Sequence, residues 1–247
     1  MNTLFVLFKT EFKLAVREFS GVLFGVILPV GIMILLGALY GSRPAYDGAG
    51  YTSLQQSFAA VITIGICATG LMGIPLTVAN YREKKILKRF QVTPTSPMMF
   101  LAAQILNNLV FALISSFLVW VTARLFFSYT MIGSLWLFLL FYCFVTVAIY
   151  ALGMLVASVS GNIKTANLLT TVVYFPMFFL SGATVPYEIM PKALQMFSSI
   201  LPLNHGIKLL KAVSLNLPLE QFGVSLLVLG ITAIAGISVS LKTFRWE

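Results

Sequence analysis

The sequence predicts an all-α membrane protein with six transmembrane helices. Three observations carry this. Of the 247 residues, 59% are hydrophobic and 9% charged, whereas a soluble domain carries about a quarter charged residues, and the mean hydropathy is +0.97. Six apolar runs alternate with short polar connections, each near the roughly 20 residues that a helix needs to cross the hydrocarbon. The predicted membrane core contains no Asp or Glu. These runs leave no room for a second soluble domain, so residues 1–247 read as a single transmembrane domain. The net charge of +9 fits basic cytoplasmic loops rather than nucleic-acid binding.

Residues 1–19 read as an amphipathic helix. Leu4, Phe5, Phe8, Phe12, Ala15, Val16 and Phe19 share one sector about 120° wide, and Lys9, Thr10, Lys13 and Arg17 lie opposite. Basic residues facing aromatics suit the membrane interface, and the soluble side of a core helix is the alternative. Charges interrupt this segment too often for a signal peptide.

The first span covers about residues 20–40 and includes Pro29, which spanning helices tolerate. Gly21 and Gly25 form a GxxxG, read either as a dimer seam or as ordinary close packing. Further spans are expected at about 58–79, 99–123, 134–157, 166–185 and 222–241. The segment before the last one is amphipathic and broken by Pro186, Pro191, Pro202 and Pro218. His205, Lys208 and Lys211 fall there and read as part of a surface-lying external helix. Cys67 and Cys143 sit in apolar runs and read as small buried hydrophobes.

Six spans put both termini on one side. Eleven of the sixteen Lys and Arg then share that side: Lys9, Lys13, Arg17, Arg82, Lys84, Lys85, Lys88, Arg89, Lys164, Lys242 and Arg245. Five lie opposite: Arg43, Arg124, Lys192, Lys208 and Lys211. The positive-inside rule places the first set, and both termini, in the cytoplasm.

The stretch "YREKKILKRFQVTPTSP", residues 81–97, holds five of those basic residues and one acid, Glu83. Ile86, Leu87 and Phe90 give it a small apolar face, and Thr93-Pro94 and Ser96-Pro97 stop it. A short stiff helix over about 81–92 follows. It fits either the bilayer surface or a groove on a cytoplasmic partner.

Chemical motifs are missing. No GxxxxGK[ST] phosphate loop, HExxH or GxSxG occurs. The uncharged spans argue against a proton-coupled carrier. Uphill transport would therefore draw its energy from another chain.

Three stretches resemble ABC-2-type transporter permeases. Arg82-Glu83, Leu87, Arg89 and "VTPTS" (Val92–Ser96) are similar to that family's cytoplasmic helix after the second span. "FFLSGATVPYEIMPKALQ" (Phe178–Gln195) resembles its segment at the end of the fifth span, and "LPLNHGIKLLKAV" (Leu201–Val213) its re-entrant region. The terminal "FRWE" is also common there. Lys85-Ile86 stands where the family often has Gly-Thr, and Lys88 where Glu is frequent.

The resemblance implies an interfacial N-terminal helix, a cytoplasmic coupling helix and a re-entrant or external helical segment before the last span. It implies that two such permeases, as homodimer or heterodimer, pair in the lipid and bind two separate ABC ATPase subunits. ATP and Mg belong to those partners, with no cofactor in this chain. Arg82, Glu83, Ile86, Leu87, Arg89 and Phe90 are the expected ATPase-coupling residues. A substrate pathway between the two permeases is expected along the second and fifth spans, with Thr63, Cys67, Met72, Thr170, Tyr174 and Phe178 as lining. The alternative for each of these six is ordinary helix packing. The resulting expectation is the permease of an exporter of drugs, antibiotics or lipids in a bacterial plasma membrane. The alternative is a polytopic sensor or assembly protein without transport activity.

Overall fold

A computed structural model describes residues 3–41, 43–46, 48–87, 97–180, 191–218 and 222–244. These residues are helical apart from their connections, and among them only an isolated Pro44–Thr52 bridge is strand-like. Six helices are long and apolar enough to cross a membrane. The chain is thus an all-α, multi-pass membrane protein.

Helix α1 (Thr3–Arg17) ends where Glu18 turns extended, and α2 (Phe19–Tyr40) starts at once. Helix α3 (Ser53–Glu83) is the centre of the bundle, with 83% of its apolar window buried against 28% for α2. It is followed by α4 (Pro97–Phe127), α5 (Leu135–Val159) and α6 (Ile163–Leu180). A short α7 (Lys192–Ser198) and a buried α8 (Pro202–Ser214) precede the last span, α9 (Gly223–Thr243).

Helix α3 begins ahead of the Phe58 that hydropathy marks, because Thr52 and Gln55 form a reciprocal capping box. Gln55 N donates to Thr52 Oγ1 at 3.2 Å, and Thr52 N donates to Gln55 Oε1 at 2.8 Å. At 1.5 Å per residue its 31 residues measure roughly 46 Å, well over the hydrocarbon thickness. Caps set where a helix ends, whereas hydropathy marks only the part that must lie in lipid.

Small residues let the helices meet. A side chain at Gly153 of α5 would run into the Gly70 carbonyl of α3. One at Gly236 of α9 would meet Ala151 of α5 at 2.9 Å. Association inside lipid depends on such close packing. Gly25 likewise faces Thr69 within this chain at 3.3 Å, whereas Gly21 has open space around it.

At the end of the bundle where α3 begins, Phe58 stacks on Tyr129 with centroids 4.2 Å apart. Ile132 N and Gly133 N there donate to Ser214 O of α8 at 3.2 and 3.0 Å. The sequence reading of α8 as a surface-lying helix is corrected here. His205 is only 6% exposed, its Nδ1 is 3.1 Å from Ser225 Oγ and its Nε2 is 2.8 Å from Ser199 O. Leu203, Leu209, Leu210 and Ala212 are fully buried. The helix is enclosed by α3, α5 and α9 because its buried polar residues find partners inside the fold, with Asn204 Nδ2 donating to Ser198 O at 3.0 Å and His205 bonded on both ring nitrogens.

Candidate functional site

At the opposite end, α3 delivers three consecutive residues to different neighbours. Successive side chains on a helix point about 100° apart, so Tyr81, Arg82 and Glu83 fan outward. Tyr81 Oη donates to both carboxylate oxygens of Glu11 at 3.0 Å, and its ring stacks on Phe100 of α4 at 4.9 Å. Gln104 Nε2 of α4 donates to the same carboxylate. Glu11 is the one described residue of α1 that is buried. Burial pushes its carboxyl above the usual range, and the hydrogen bonds from Tyr81 and Gln104 act against that rise.

Arg82 turns inward. Its Nη1 donates to Ala157 O at 3.1 Å and to Ser160 O, both at the C-terminal end of α5. Its guanidinium stands 5.3 Å from the centroid of Phe244, just past α9. A cation at a helix C-terminus meets the negative end of the dipole and otherwise orphaned carbonyls. Glu83 reaches α6: its Oε2 accepts from Ile163 N at 3.0 Å, one of the first-turn donors that a helix leaves open. Ser158 Oγ and Thr243 Oγ1, 2.8 Å apart, join α5 to α9 beside this knot. Three residues therefore fasten α3 to α1, α4, α5, α6 and α9.

The chain then breaks. Lys84 N and Lys85 N fold back on Asn80 O and Arg82 O. Lys85 has φ +56°, a left-handed conformation that glycine adopts freely. This is the position where the resembling family often carries glycine. Helical geometry resumes at Ile86 and Leu87.

The expected coupling residues thus fall into three groups. Arg82 and Glu83 bond within this chain, and Leu87 is fully buried in its core. Ile86 is half-buried, and Lys84 and Lys85 are exposed. Lys88, Arg89, Phe90 and "VTPTS" lie outside the described residues, as do Asp47, residues 181–190 of the fifth-span match and the terminal "RWE". Glu11, absent from the sequence reading, completes the knot. Its signal was a lone acid on an otherwise apolar-and-basic helix.

The expected pathway residues lie along the α3–α6 seam. Thr63, Cys67, Thr170 and Tyr174 are each at most 1% exposed, and Phe178 stacks on Tyr174 at 5.8 Å. Thr63 Oγ1 donates to Ala59 O at 2.6 Å. Thr170 Oγ1 and Tyr174 Oη, one helical turn apart, are buried with no hydrogen-bond partner. Met72 faces away from this seam, into a cavity beside α2. No group of three or more potential metal ligands occurs among the described residues.

A bundle with six helices long and apolar enough to cross a membrane defines a polytopic membrane protein. The chain belongs to the ABC-2 type transporter family, whose model matches residues 2–215. It is similar to the nodulation protein J of Rhizobium leguminosarum bv. viciae, 33% identical over 98 residues, which cover 40% of this chain and 38% of that protein. It is also similar to the nodulation protein J of Rhizobium meliloti (strain 1021), 32% identical over 98 residues, covering 40% and 37%. The matched stretch is well under half the length of these relatives.

Proposed function

We propose that this chain is the permease subunit of an ATP-driven exporter, paired with a second permease and powered by two separate ABC ATPase subunits that bind ATP and Mg. The observation that supports it best is the Tyr81-Arg82-Glu83 knot, immediately before the basic stretch. A push on residues 84–87 would reach five other helices through three side chains. A topology anchor alone would need charge and no such fastening.

On this reading both termini and the stretch from Arg82 to Arg89 face the cytoplasm of a bacterial cell, and α1 lies along the inner surface of its plasma membrane. Ile86, Phe90 and the exposed lysines meet the ATPase, while Leu87 anchors the coupling segment from within. Cargo is apolar or amphipathic, because the α3–α6 seam offers aromatic rings and two unpartnered hydroxyls but no charge. Phe178, Tyr174 and Thr170 meet cargo when α3 and α6 part.

The test is copurification. The tagged chain should bring down a stand-alone ABC ATPase, and the chain alone should hydrolyse no ATP. A chain that binds no ATPase in its native membrane would instead support a sensor or assembly protein.

A further inference from the structure

Helix α1 divides its circumference three ways. Leu7, Phe8, Glu11 and Ala15 are buried or half-buried on the face that packs on α4. Two contacts fix how the rest of the helix is turned. Gln104 of α4 holds Glu11, and Phe12 leans on Phe111 of α4 with ring centroids 5.4 Å apart. At 1.5 Å per residue Phe111 lies about 10 Å further into the α4 span than Gln104. The Phe12 side of α1 therefore points along α4 toward the bilayer interior.

The exposed residues follow from that direction. At about 100° per residue, Phe5 and Val16 fall within about 40° of Phe12. They are 57% and 51% exposed, an apolar flank that no described part of the chain covers. Lys9 comes next at about 60° from Phe12, Lys13 at about 100° and Arg17 at about 140°. All three are exposed, and none is in an ion pair among the described residues. Glu18, just past the helix, is the one exposed acid alongside them. A cationic stripe thus borders the apolar flank, on the side turned away from α4.

This order selects a partner. An acidic protein segment would satisfy the cations but leave Phe5 and Val16 in water, where exposed apolar patches are a liability. A zwitterionic lipid would cover the flank but bring no net charge to the stripe. An anionic phospholipid does both, since its acyl chain meets the flank while the long cationic side chains reach its headgroup.

We propose that this face of α1 docks on anionic phospholipids, with Lys9, Lys13 and Arg17 drawing their headgroups from a mixed membrane and Phe5 and Val16 seated among the upper acyl chains. Of the functional reading above, the interfacial position of α1 is the one part this requires; neither the ATPase nor the cargo enters.

The full chain with Cys143→Ala and Val16→Cys takes a fluorophore at residue 16, because the remaining Cys67 is fully buried. It is reconstituted in phosphatidylcholine containing a small, equal fraction of either phosphatidylglycerol or phosphatidylcholine spin-labelled high on the acyl chain. Each Lys or Arg beside an anionic headgroup strengthens the attraction about fivefold, so labelled phosphatidylglycerol should quench severalfold more strongly, and added salt should shrink the difference. Lys9→Gln, Lys13→Gln and Arg17→Gln together should abolish it while leaving the detergent melt unchanged, since all three are exposed. Lys164→Gln with Lys242→Gln, exposed cations on α6 and α9 at the same end of the bundle, should preserve it. Equal quenching by the two lipids in the parent, or a preference that survives the triple change, overturns the proposal. A preference lost in the Lys164 and Lys242 pair overturns it too, because the chain's overall charge would then be responsible. Quenching by neither lipid would refute the interfacial position of α1 itself.

Discussion

Replacing Arg82 with Met removes the guanidinium and keeps the apolar stem. Two hydrogen bonds from a charged donor disappear, those to Ala157 O and Ser160 O, each contributing about 1.5–3 kcal/mol. The contact with Phe244 adds about 0.5–1 kcal/mol. Against this, the variant no longer desolvates a cation that is only 7% exposed in the fold, and that relief offsets part of the loss. The net expectation is a destabilisation of about 2–4 kcal/mol. For a chain of 150–250 residues each kcal/mol moves the melting temperature by about 2–4 °C. Thermal unfolding in detergent should therefore show a fall of about 4–16 °C. Arg82→Lys should fall between, because an ammonium keeps a charged donor for the two carbonyls but loses the planar guanidinium over Phe244. Lys84→Ala, on an exposed turn, should leave the melt unchanged. If Arg82→Met melts within about 1 °C of the parent, the inward-facing latch carries no load and the knot argument fails with it.

Four further outcomes follow from the same geometry. Ile86→Asp should lose ATPase copurification while the chain stays folded, whereas Leu87→Asp should unfold it, since Leu87 is fully buried; equal melting of the two would refute the division. Tyr174→Phe should not destabilise the bundle, because the hydroxyl it deletes has no partner, yet it should shift which cargo is exported, and a marked drop in melting temperature would show a bond inside the chain. Burial holds the His205 imidazole below its ordinary pKa, with Lys208 adding to that and the Ser199 carbonyl opposing it; the unfolded chain takes up the proton first, so stability should fall as pH drops through about 6.5, and His205→Gln should flatten that slope in melts across pH 5–8. With both native cysteines removed, a cysteine at Lys85 should resist an impermeant thiol reagent in intact cells and one at Tyr46, which is 60% exposed, should label; the reverse pattern would invert the topology.

The sequence by itself determined the class of protein. Long apolar runs and absent charge dictate six helical spans, since lipid offers the backbone no other way to satisfy its polar groups. The family match likewise rests on linear motifs. The sequence could not reveal what its charges do, because a charge's role depends on who stands opposite. Arg82 and Lys84 are near neighbours in a basic run, yet helical rotation aims one at the end of α5 and leaves the other in solvent. Glu11 drew no reading from the sequence, because its partners Tyr81 and Gln104 reach it only on folding. Helix α8 looked superficial because its Lys residues are visible in the string while its enclosure is not. Asn107 gave no signal at all among the polar residues of a long span. Only the tertiary structure shows that both its amide atoms are buried without a hydrogen-bond partner, because satisfaction of a buried polar group is a property of its neighbours in space.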